Sequence, residues 1–249
     1  GQLRVKVILK KELPIDGQVE YFFENGSIKE RFNYKDGQYN GLVEFFDEDG
    51  TLKTRENYKD GQYNGLVETF YEDGSLKSKE NYKDGKVDGL VEMFYEGGVV
   101  RYRGNYKEGK ENGLLESFYE DSTVRYRGNY KDGKENGLVE SFDEDGFLFM
   151  RQNFKDGKRN GLHEMFHGDG NLWSRENYKD GELDGLSESF WKDGNLGHKK
   201  YYRDGELDGY YEYRFGNGDV QKGWYKDGKK HGYWRYIKPD GSIYGESNY

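Results

Sequence analysis

The feature that most constrains this chain is a period of 24 residues that runs through almost all of it. In each period an aromatic residue is followed three positions later by a glycine and four positions after that by a second glycine. The step between periods is 24 residues until the last, which is 23. A fixed period of this length is typical of repeat proteins, in which each unit packs mainly on its neighbours. The recurring aromatic residues are Tyr34, Tyr58, Tyr82, Tyr106, Tyr130, Phe154, Tyr178, Tyr202 and Tyr225.

Composition favours strands over helices in these repeats. The chain contains 37 glycines, 24 tyrosines and 15 phenylalanines but no alanine, the strongest helix former. We therefore predict an all-β fold, a solenoid-like single sheet of antiparallel β-hairpins with about nine repeats of 24 residues. Because a sheet of so many strands does not stay flat, we expect an elongated, twisted and curved array.

The uninterrupted period indicates a single repeat domain at residues 15–249, preceded by a lead-in at residues 1–14. In the lead-in, Val5, Val7 and Leu9 recur at alternate positions before the segment ends in a proline. This pattern is typical of an edge strand, and we expect it to cap the array.

Residues 41–64 serve as the reference repeat, with two strands joined by a turn at Asp49-Gly50. A two-residue turn would place Phe46 opposite Lys53, whereas a three-residue turn, with Gly50 left-handed in a bulge, places Phe46 opposite Leu52. We prefer the three-residue turn because it puts the apolar residues on one face. That predicted core face carries Leu42, Phe46, Leu52 and Tyr58.

We assign structural roles to the residues at the repeating positions in and beside the next repeat. The glycines among them are expected to form tight turns with positive φ. Two repeats replace the Asp-Gly of the hairpin turn, with Gly97-Gly98 and Asp121-Ser122, and we expect local distortion there without a change of fold. The predicted structural residues are Gly61, Gly65, Tyr58, Leu66, Glu68, Phe70 and Leu76.

The repeat resembles the MORN repeat. The pattern Tyr/Phe-x-x-Gly-x-x-x-Gly is present in all nine units, and residues 102–106 and 126–130 keep the fuller Tyr-x-Gly-x-Tyr. Most other units depart from the family pattern, with Glu56, Glu80 and Glu176 standing at the first glycine. These departures make the chain similar to bacterial MORN-variant repeats, some of which carry an antitoxin-family label.

The resemblance implies a non-enzymatic scaffold that binds a protein partner. One version is an antitoxin or immunity protein that neutralises a toxin, and another is a secreted virulence factor that meets host proteins. Association with membrane lipids, long suggested for MORN repeats, is a lesser alternative. The net charge of −9, with acidic and basic residues interleaved, argues against both a membrane surface and nucleic acid as partners.

The compartment stays open between the bacterial cytoplasm and the exterior. The chain has no cysteine, which excludes disulfides and thiol chemistry but suits either location. It begins with Gly1 and not with methionine, as expected if a signal peptide has been removed.

A glutamate recurs in each repeat between the predicted core leucine and phenylalanine. A carboxylate there is costly unless it is hydrogen-bonded. Either the glutamates line a groove for a cationic ligand, or each accepts hydrogen bonds from a tyrosine hydroxyl or turn amides of a neighbouring repeat. We favour the structural interpretation because buried polar groups are usually paired. The column comprises Glu44, Glu68, Glu92, Glu116, Glu140, Glu164, Glu188 and Glu212.

Residues 163–167 match the His-Glu-x-x-His pattern of zinc proteases. That chemistry requires a helix, whereas on a strand His163 and His167 lie roughly 13 Å apart with Glu164 on the other face. The Asp-Gly turns lack the ligand set of a calcium loop. No nucleophile elbow, phosphate loop or dinucleotide fingerprint occurs. We therefore predict no catalytic residue, no metal and no cofactor.

The face opposite the predicted core varies between repeats and becomes strongly aromatic near the C-terminus. Variable residues on a repeated frame suit specific binding, and exposed aromatic residues mark interfaces. A C-terminal cap or a self-association patch explains them equally well, and glycan or choline recognition is a lesser alternative. The candidate binding residues are Tyr211, Tyr213, Phe215, Trp234, Tyr236 and Trp191.

Overall fold

A computed structural model describes residues 16–249, which form 22 strands and contain no helix. The proposed lead-in strand at residues 1–14 lies outside the described residues. The strands are β1 Gly17–Phe22, β2 Ile28–Lys35, β3 Gln38–Tyr39, β4 Gly41–Phe46, β5 Leu52–Lys59, β6 Gln62–Tyr63, β7 Gly65–Phe70, β8 Leu76–Lys83, β9 Lys86–Phe94, β10 Val100–Lys107, β11 Lys110–Phe118, β12 Val124–Lys131, β13 Lys134–Phe142, β14 Leu148–Lys155, β15 Lys158–Phe166, β16 Leu172–Lys179, β17 Glu182–Phe190, β18 Leu196–Arg203, β19 Glu206–Arg214, β20 Val220–Lys226, β21 Lys229–Ile237 and β22 Ile243–Asn248.

The described part of the chain divides into two compact units. One comprises residues 16–123 and 130–133, and the other comprises residues 124–129 and 134–249. Within each unit, successive strands pair antiparallel as hairpins. The prediction of an all-β fold built from antiparallel hairpin repeats is confirmed.

The longer turn of each repeat has the predicted length. In the reference repeat, Phe46 pairs with Leu52, and Gly50 has a φ of 89°. The Asp47 N–H donates to the Thr51 carbonyl, and the Gly50 N–H donates to the Asp47 carbonyl. A left-handed glycine in the last turn position lets the chain reverse without strain.

The two substituted turns keep the usual hydrogen bonds, and the local distortion expected there is confined to backbone angles: Gly97, unlike the residue before the turn glycine in the other repeats, has a positive φ of 91°. Gly98 and Ser122 each donate the usual N–H bond to the first turn residue, Tyr95 or Tyr119, at 3.0 Å. Ser122 keeps the geometry by adopting a φ of 73°, which is unfavourable for a side chain of its kind. The hydrogen-bond frame therefore overrides the local preference of the residue.

A β-bulge follows this turn and changes which residues share a face. Phe46 pairs with Leu52, but Phe45 pairs with Thr54, so that Lys53 is the extra residue. Beyond the bulge, Glu44 lies opposite Arg55. The predicted grouping of Leu42, Phe46, Leu52 and Tyr58 on one face is therefore wrong for Tyr58. We name the two sides by their first members: the leucine face carries Leu42, Glu44 and Phe46, and the valine face carries Val43, Phe45 and Tyr58.

The side that buries apolar side chains is the valine face and not the predicted leucine face. Val43 is completely buried, and Val139 is 1% exposed. In the first unit, Val19, Phe32 and Val43 form a cluster on which tyrosine rings pack. The predicted core leucines include four that are 36–43% exposed: Leu90, Leu114, Leu138 and Leu162. The reversal follows from the bulge, which moves the recurring tyrosines to the valine side.

A second, tighter hairpin links each repeat to the next. Tyr58 pairs with Tyr63 around a two-residue turn in which Asp60 has a φ of 49° and Gly61 a φ of 75°. Two successive left-handed residues match the twist of the strands, and Asp-Gly suits them. The Gly61 N–H donates to the carbonyl of Tyr39 in the preceding repeat at 2.9 Å. The turn glycine thereby joins neighbouring repeats.

The second glycine of the motif makes room for an asparagine. Gly65 has a φ of 113°, and a Cβ atom there would lie 3.1 Å from the Cβ of Asn57. The Asn57 amide donates to the Leu66 carbonyl at 2.7 Å. The amide supplies a donor where the ladder between the strands is interrupted.

Tyrosine rings cover the valine face of the first unit. Tyr34, Tyr39, Tyr58, Tyr63 and Tyr82 form a row whose adjacent ring centroids lie 4.7–5.1 Å apart. Aromatic rings at this spacing bury large apolar areas and leave their hydroxyls available for hydrogen bonds.

A glutamate of the valine face satisfies two of these hydroxyls. Glu56 accepts hydrogen bonds from Tyr58 at 2.9 Å and from Tyr63 at 3.3 Å. This arrangement explains why a glutamate replaces the first glycine of the MORN pattern. Where the glycine is kept, at Gly104, the side chain of Tyr102 lies over it. The hydroxyls of Tyr102 and Tyr106 share a hydrogen bond of 2.8 Å.

The single 23-residue repeat lacks the bulge. Strands β19 and β20 pair without a register shift from Gly209 opposite Tyr225 to Arg214 opposite Val220. The turn between them keeps the usual bonds, with the Phe215 N–H donating to the Asp219 carbonyl. The missing residue is therefore the bulge residue.

Candidate functional site

The structure separates the six predicted binding residues into three groups. Trp234 is completely buried, and its indole N–H donates to the Trp224 carbonyl at 3.1 Å. Its ring lies 5.3 Å from that of Tyr211 and 5.1 Å from that of Tyr225. A side chain at Gly223 would collide with this ring, so the glycine creates the space that Trp234 fills. The prediction of Trp234 as a surface binding residue is wrong.

Tyr236 forms a second group near the end of the chain. It is half-buried and accepts a hydrogen bond from the Gln221 amide at 3.0 Å. Its ring lies 6.1 Å from that of Tyr244. These contacts give it a local packing role.

The third group forms an open cleft at the hairpin turns of the second unit. Trp191 is 44% exposed and Phe215 is 40% exposed, and both line a cleft of about 640 Å³. The ring of Tyr213 packs edge-on against Phe215 at 4.8 Å. We call this surface the Trp191 cleft, and its lining residues are Trp191, Lys192, Asp193, Asn195, Leu196, Arg214, Phe215, Gly216 and Gly218.

Backbone geometry fixes the walls of the Trp191 cleft. The Trp191 N–H donates to the Asn195 carbonyl at 2.8 Å, which ties the aromatic residue to its turn. The bulge position of this repeat is Gly197, and a Cβ atom there would lie 3.4 Å from the indole nitrogen of Trp191. The indole of Trp191 therefore lies directly beside this strand.

The cleft combines aromatic walls with charged groups at its edge. Arg214 pairs with the Glu212 carboxylate at 2.8 Å. The backbone N–H of Asn195 holds the pKa of the Asp193 carboxyl below its usual value, so Asp193 is charged at neutral pH. Such a surface suits the burial of an apolar side chain with polar contacts at the rim.

The recurring glutamates lie on the leucine face and pair with arginines. The Arg127 guanidinium donates to Glu140 at 2.6 Å and lies over the ring of Phe142 at 5.3 Å. In most repeats the predicted donors, tyrosine hydroxyls and turn amides, are thus replaced by guanidinium groups, because an arginine of the preceding strand lies opposite the glutamate. Glu212 differs, since it accepts a hydrogen bond from the hydroxyl of Tyr210. The pairs Arg103–Glu116, Arg127–Glu140, Arg151–Glu164 and Arg175–Glu188 repeat the arrangement.

The His-Glu-x-x-His segment is strand β15 and its following turn. His163 is buried on the valine face with Nδ1 3.6 Å from Glu176, and its proximity lowers the pKa of the Glu176 carboxyl. Glu164 faces the other side, and His167 packs near the ring of Trp173. Within residues 16–249 no three histidines and carboxylates converge in a way that could hold a metal ion.

The repeats on which these surfaces lie match a known protein family. The family described as MORN repeat variant matches six stretches that together cover just over half of the chain: residues 15–36, 39–60, 63–84, 87–108, 111–132 and 159–180. The chain belongs to the MORN repeat variant family. An all-β repeat scaffold of this kind is typical of non-enzymatic proteins, and MORN repeats generally serve as binding modules.

The similarity of the chain to individual solved structures is low. Two solved structures, a mutant and the wild-type form of the TCP10 domain of Danio rerio CPAP, are 16% identical to the chain. Each covers 91% of this chain and 97% or 98% of its own, with TM-scores of 0.32 and 0.31. No curated protein matches the sequence. No helix in residues 16–249 is long and apolar enough to cross a membrane.

One aromatic surface of this MORN-variant chain was not predicted from the sequence. It lies on the leucine face, where the usual leucine and asparagine give way to aromatic residues in the last repeats. Trp224 is 54% exposed and Tyr233 is 62% exposed. Their departure from an otherwise regular column is the sequence signal that could have found them. We call Tyr201, Tyr210, Trp224 and Tyr233 the leucine-face aromatic row.

Proposed function

We propose that the protein is a non-enzymatic scaffold that binds a protein partner through the Trp191 cleft. The observation that supports this function is the pairing of two exposed aromatic walls, Trp191 and Phe215, across one cleft of about 640 Å³. Solvent-exposed aromatic residues of this size are common where a partner will cover them. Of the predicted binding residues, these two retain the exposure that a binding role requires.

The chemistry of the cleft suits a protein partner. Tryptophan and arginine are enriched among the residues that carry most of the energy of protein interfaces. Here Trp191 and Arg214 line the same cleft, and local contacts hold the backbone of Trp191 and the guanidinium of Arg214 before any partner arrives. Such pre-ordering reduces the entropy cost of association.

The test is a paired capture experiment with intact protein and a Trp191→Ala/Phe215→Ala variant. A Trp173→Ala variant is the matched control, because Trp173 is 46% exposed but lies outside the cleft. We expect a stoichiometric partner that is retained by the control and lost by the cleft variant. Equal capture by all three proteins would refute the site.

Two finer versions of this proposal differ in the origin of the partner. For an antitoxin or immunity protein, the partner is a toxin from the source cell, and purified complex formation should abolish its activity. For a secreted factor, the partner comes from a host extract. Self-association through the aromatic C-terminal region is a third outcome, recognised by a concentration-dependent mass in light scattering.

A further inference from the structure

The leucine-face aromatic row is a second surface with a distinct chemistry. Tyr210 and Trp224 lie directly opposite each other on β19 and β20, with ring centroids 5.7 Å apart at 69°. Tyr201 lines a cleft together with both. Tyr233 occupies the same position in its repeat as Tyr210 and is 62% exposed. Aromatic side chains thus recur on four successive strands.

The repeat frame does not require these aromatic residues. In earlier repeats the same two positions hold a leucine and an asparagine, and the asparagine amide donates to the leucine carbonyl. Asn57 does so at Leu66 at 2.7 Å, and Asn177 at Leu186 at 3.0 Å. A phenol or an indole cannot reproduce a carboxamide. The substitutions therefore exchange a bond that stabilises the frame for exposed ring surface.

Two clefts flank the exposed indole. One of about 600 Å³ is lined by Tyr201, Tyr210, Glu212 and Trp224, among others. The other, of about 390 Å³, is lined by Arg203, Trp224 and His231, among others. Both volumes fall in the range typical of small-ligand sites, and aromatic walls with a few polar groups are the usual lining.

The polar groups of these clefts form neutral pairs. Arg203 pairs with Asp208 at 3.1 Å, and Arg214 pairs with Glu212 at 2.8 Å. Tyr210 also donates its hydroxyl to Glu212. These pairs therefore offer hydrogen-bond donors and acceptors with no net charge.

Beyond these pairs, the cleft linings contain two more basic side chains, Lys199 and Lys226. The ammonium group of Lys199 lies 3.4 Å from the carboxylate of Glu188. A strongly charged ligand would have to separate the Arg203–Asp208 and Arg214–Glu212 pairs to bind their members. A neutral ligand can bond the same groups in place.

We propose that the leucine-face aromatic row binds a neutral oligosaccharide. Sugar rings present flat C–H surfaces that stack on aromatic faces, here that of Trp224, which is 54% exposed. Their hydroxyls both donate and accept hydrogen bonds, which suits the Arg203–Asp208 and Arg214–Glu212 pairs on either side of Trp224. This inference rests on other rings and another class of ligand than the Trp191 cleft, and the two sites share Leu196 and Arg214 at their border.

The test measures binding of neutral and charged hexasaccharides to the full chain. Cellohexaose, chitohexaose, laminarihexaose and maltohexaose are the neutral probes, and heparin hexasaccharide and hexagalacturonate are the charged ones. Titration calorimetry gives the affinity, and tryptophan emission reports the indole environment. We expect at least one neutral probe to bind, with an affinity that does not fall as salt is raised.

Variants locate the site. Trp224→Ala should weaken that binding by about tenfold or more, as expected when one stacking ring is removed. Trp224→Phe should restore part of it because it keeps a ring face. Trp173→Ala is the control, since Trp173 is exposed but lies outside both clefts. Circular dichroism verifies that each variant is folded.

Three results would overturn the proposal. They are binding of the charged probes alone, unchanged binding of a neutral probe by the Trp224→Ala variant, and no binding of any of the four neutral probes. None of these results bears on protein capture at the Trp191 cleft, so the two proposals fail separately.

Discussion

The hydroxyl of Tyr102 lies over Gly104, 2.7 Å from where a Cβ atom on residue 104 would stand. Tyr126 covers Gly128 in the same way and at the same distance. Where a glutamate replaces the glycine, as at Glu56 and Glu80, the residue two positions earlier is a small hydroxyl residue. In these four repeats the valine face is thus covered in two alternative ways, each a matched pair of positions.

This pairing predicts a coupled effect of mutation. Gly104→Ala should destabilise the protein by about 1–3 kcal/mol, because the new methyl group displaces the Tyr102 ring. In a Tyr102→Ser background the same change should cost clearly less. Urea denaturation of the four proteins of this double-mutant cycle gives the coupling energy. Equal costs in the two backgrounds would disprove the steric explanation.

The strained turn at Ser122 predicts a stabilising mutation. Its φ of 73° is costly for serine but free for glycine, so Ser122→Gly should raise the unfolding free energy by about 1 kcal/mol. Gly98, with a φ of 87° in the corresponding turn, provides the reverse control. Gly98→Ser should lower stability by a similar amount. Thermal and chemical denaturation check both, and a loss of stability in Ser122→Gly would contradict the prediction.

The buried carboxylate of Glu44 predicts a role for the arginine pairs in stability. Arg31 and Arg55 donate to it at 2.9 and 3.1 Å, and its side chain is 8% exposed. Glu44→Gln should cost about 1–3 kcal/mol because two guanidinium groups lose a charged acceptor. Glu48→Gln, at an exposed turn position, is the control and should change little. Unchanged stability in Glu44→Gln would reopen the ligand-binding interpretation of the glutamate column.

Tyrosine ionisation predicts a loss of stability in alkali. The hydrogen-bonded partner Tyr34 raises the pKa of Tyr39 from 10.0 to about 12, and burial followed by the bond to Glu80 raises the pKa of Tyr82 to about 12. A raised folded-state pKa means that the stabilisation is complete below pH 10 and declines as the pH rises towards 12. Phenolate absorbance and denaturation series measure both effects. Tyr39→Phe/Tyr82→Phe should lessen the decline, and an unchanged pH profile would argue against it.

The bulge predicts which single-residue deletion the repeat tolerates. Deletion of Lys53 should leave a folded protein, because β19 and β20 pair without the equivalent residue. Deletion of Glu56 should cost about 3 kcal/mol or more, since it brings Arg55 or Asn57 to the buried side beside Val43. Circular dichroism and denaturation distinguish the two proteins. Comparable damage by both deletions would show that the bulge is essential.

The turns were predictable because their chemistry is local. Asp49-Gly50 and the apolar pair Phe46 and Leu52 were sufficient to assign the turn length and the pairing next to it. The bulge left no such signature, since its position holds Lys53 in one repeat and Gly197 in another. Without the bulge, alternation assigns Tyr58 and the valines to the wrong sides.

The binding residues were harder to predict than the frame. Trp191 and Phe215 were found because they vary within a regular column, but Trp234 shares that aromatic character and is buried. Trp234 is buried because Gly223, on the neighbouring strand, leaves space for its ring. A pattern within a single strand cannot predict such a contact. Trp224 was missed because strict alternation placed the expected binding surface on the valine face. Trp224 lies on the leucine face.

The bulge has a consequence for how such genes change length. A residue gained or lost inside a strand reverses every side chain beyond it, whereas the bulge position absorbs a single codon, as the 23-residue repeat records. Elsewhere, segments must be duplicated or lost as whole repeats. Only then does the glycine N–H of each Asp-Gly turn remain hydrogen-bonded to a carbonyl of the preceding repeat. Related genes should therefore differ in length by multiples of one repeat, with occasional single-codon differences confined to this one position.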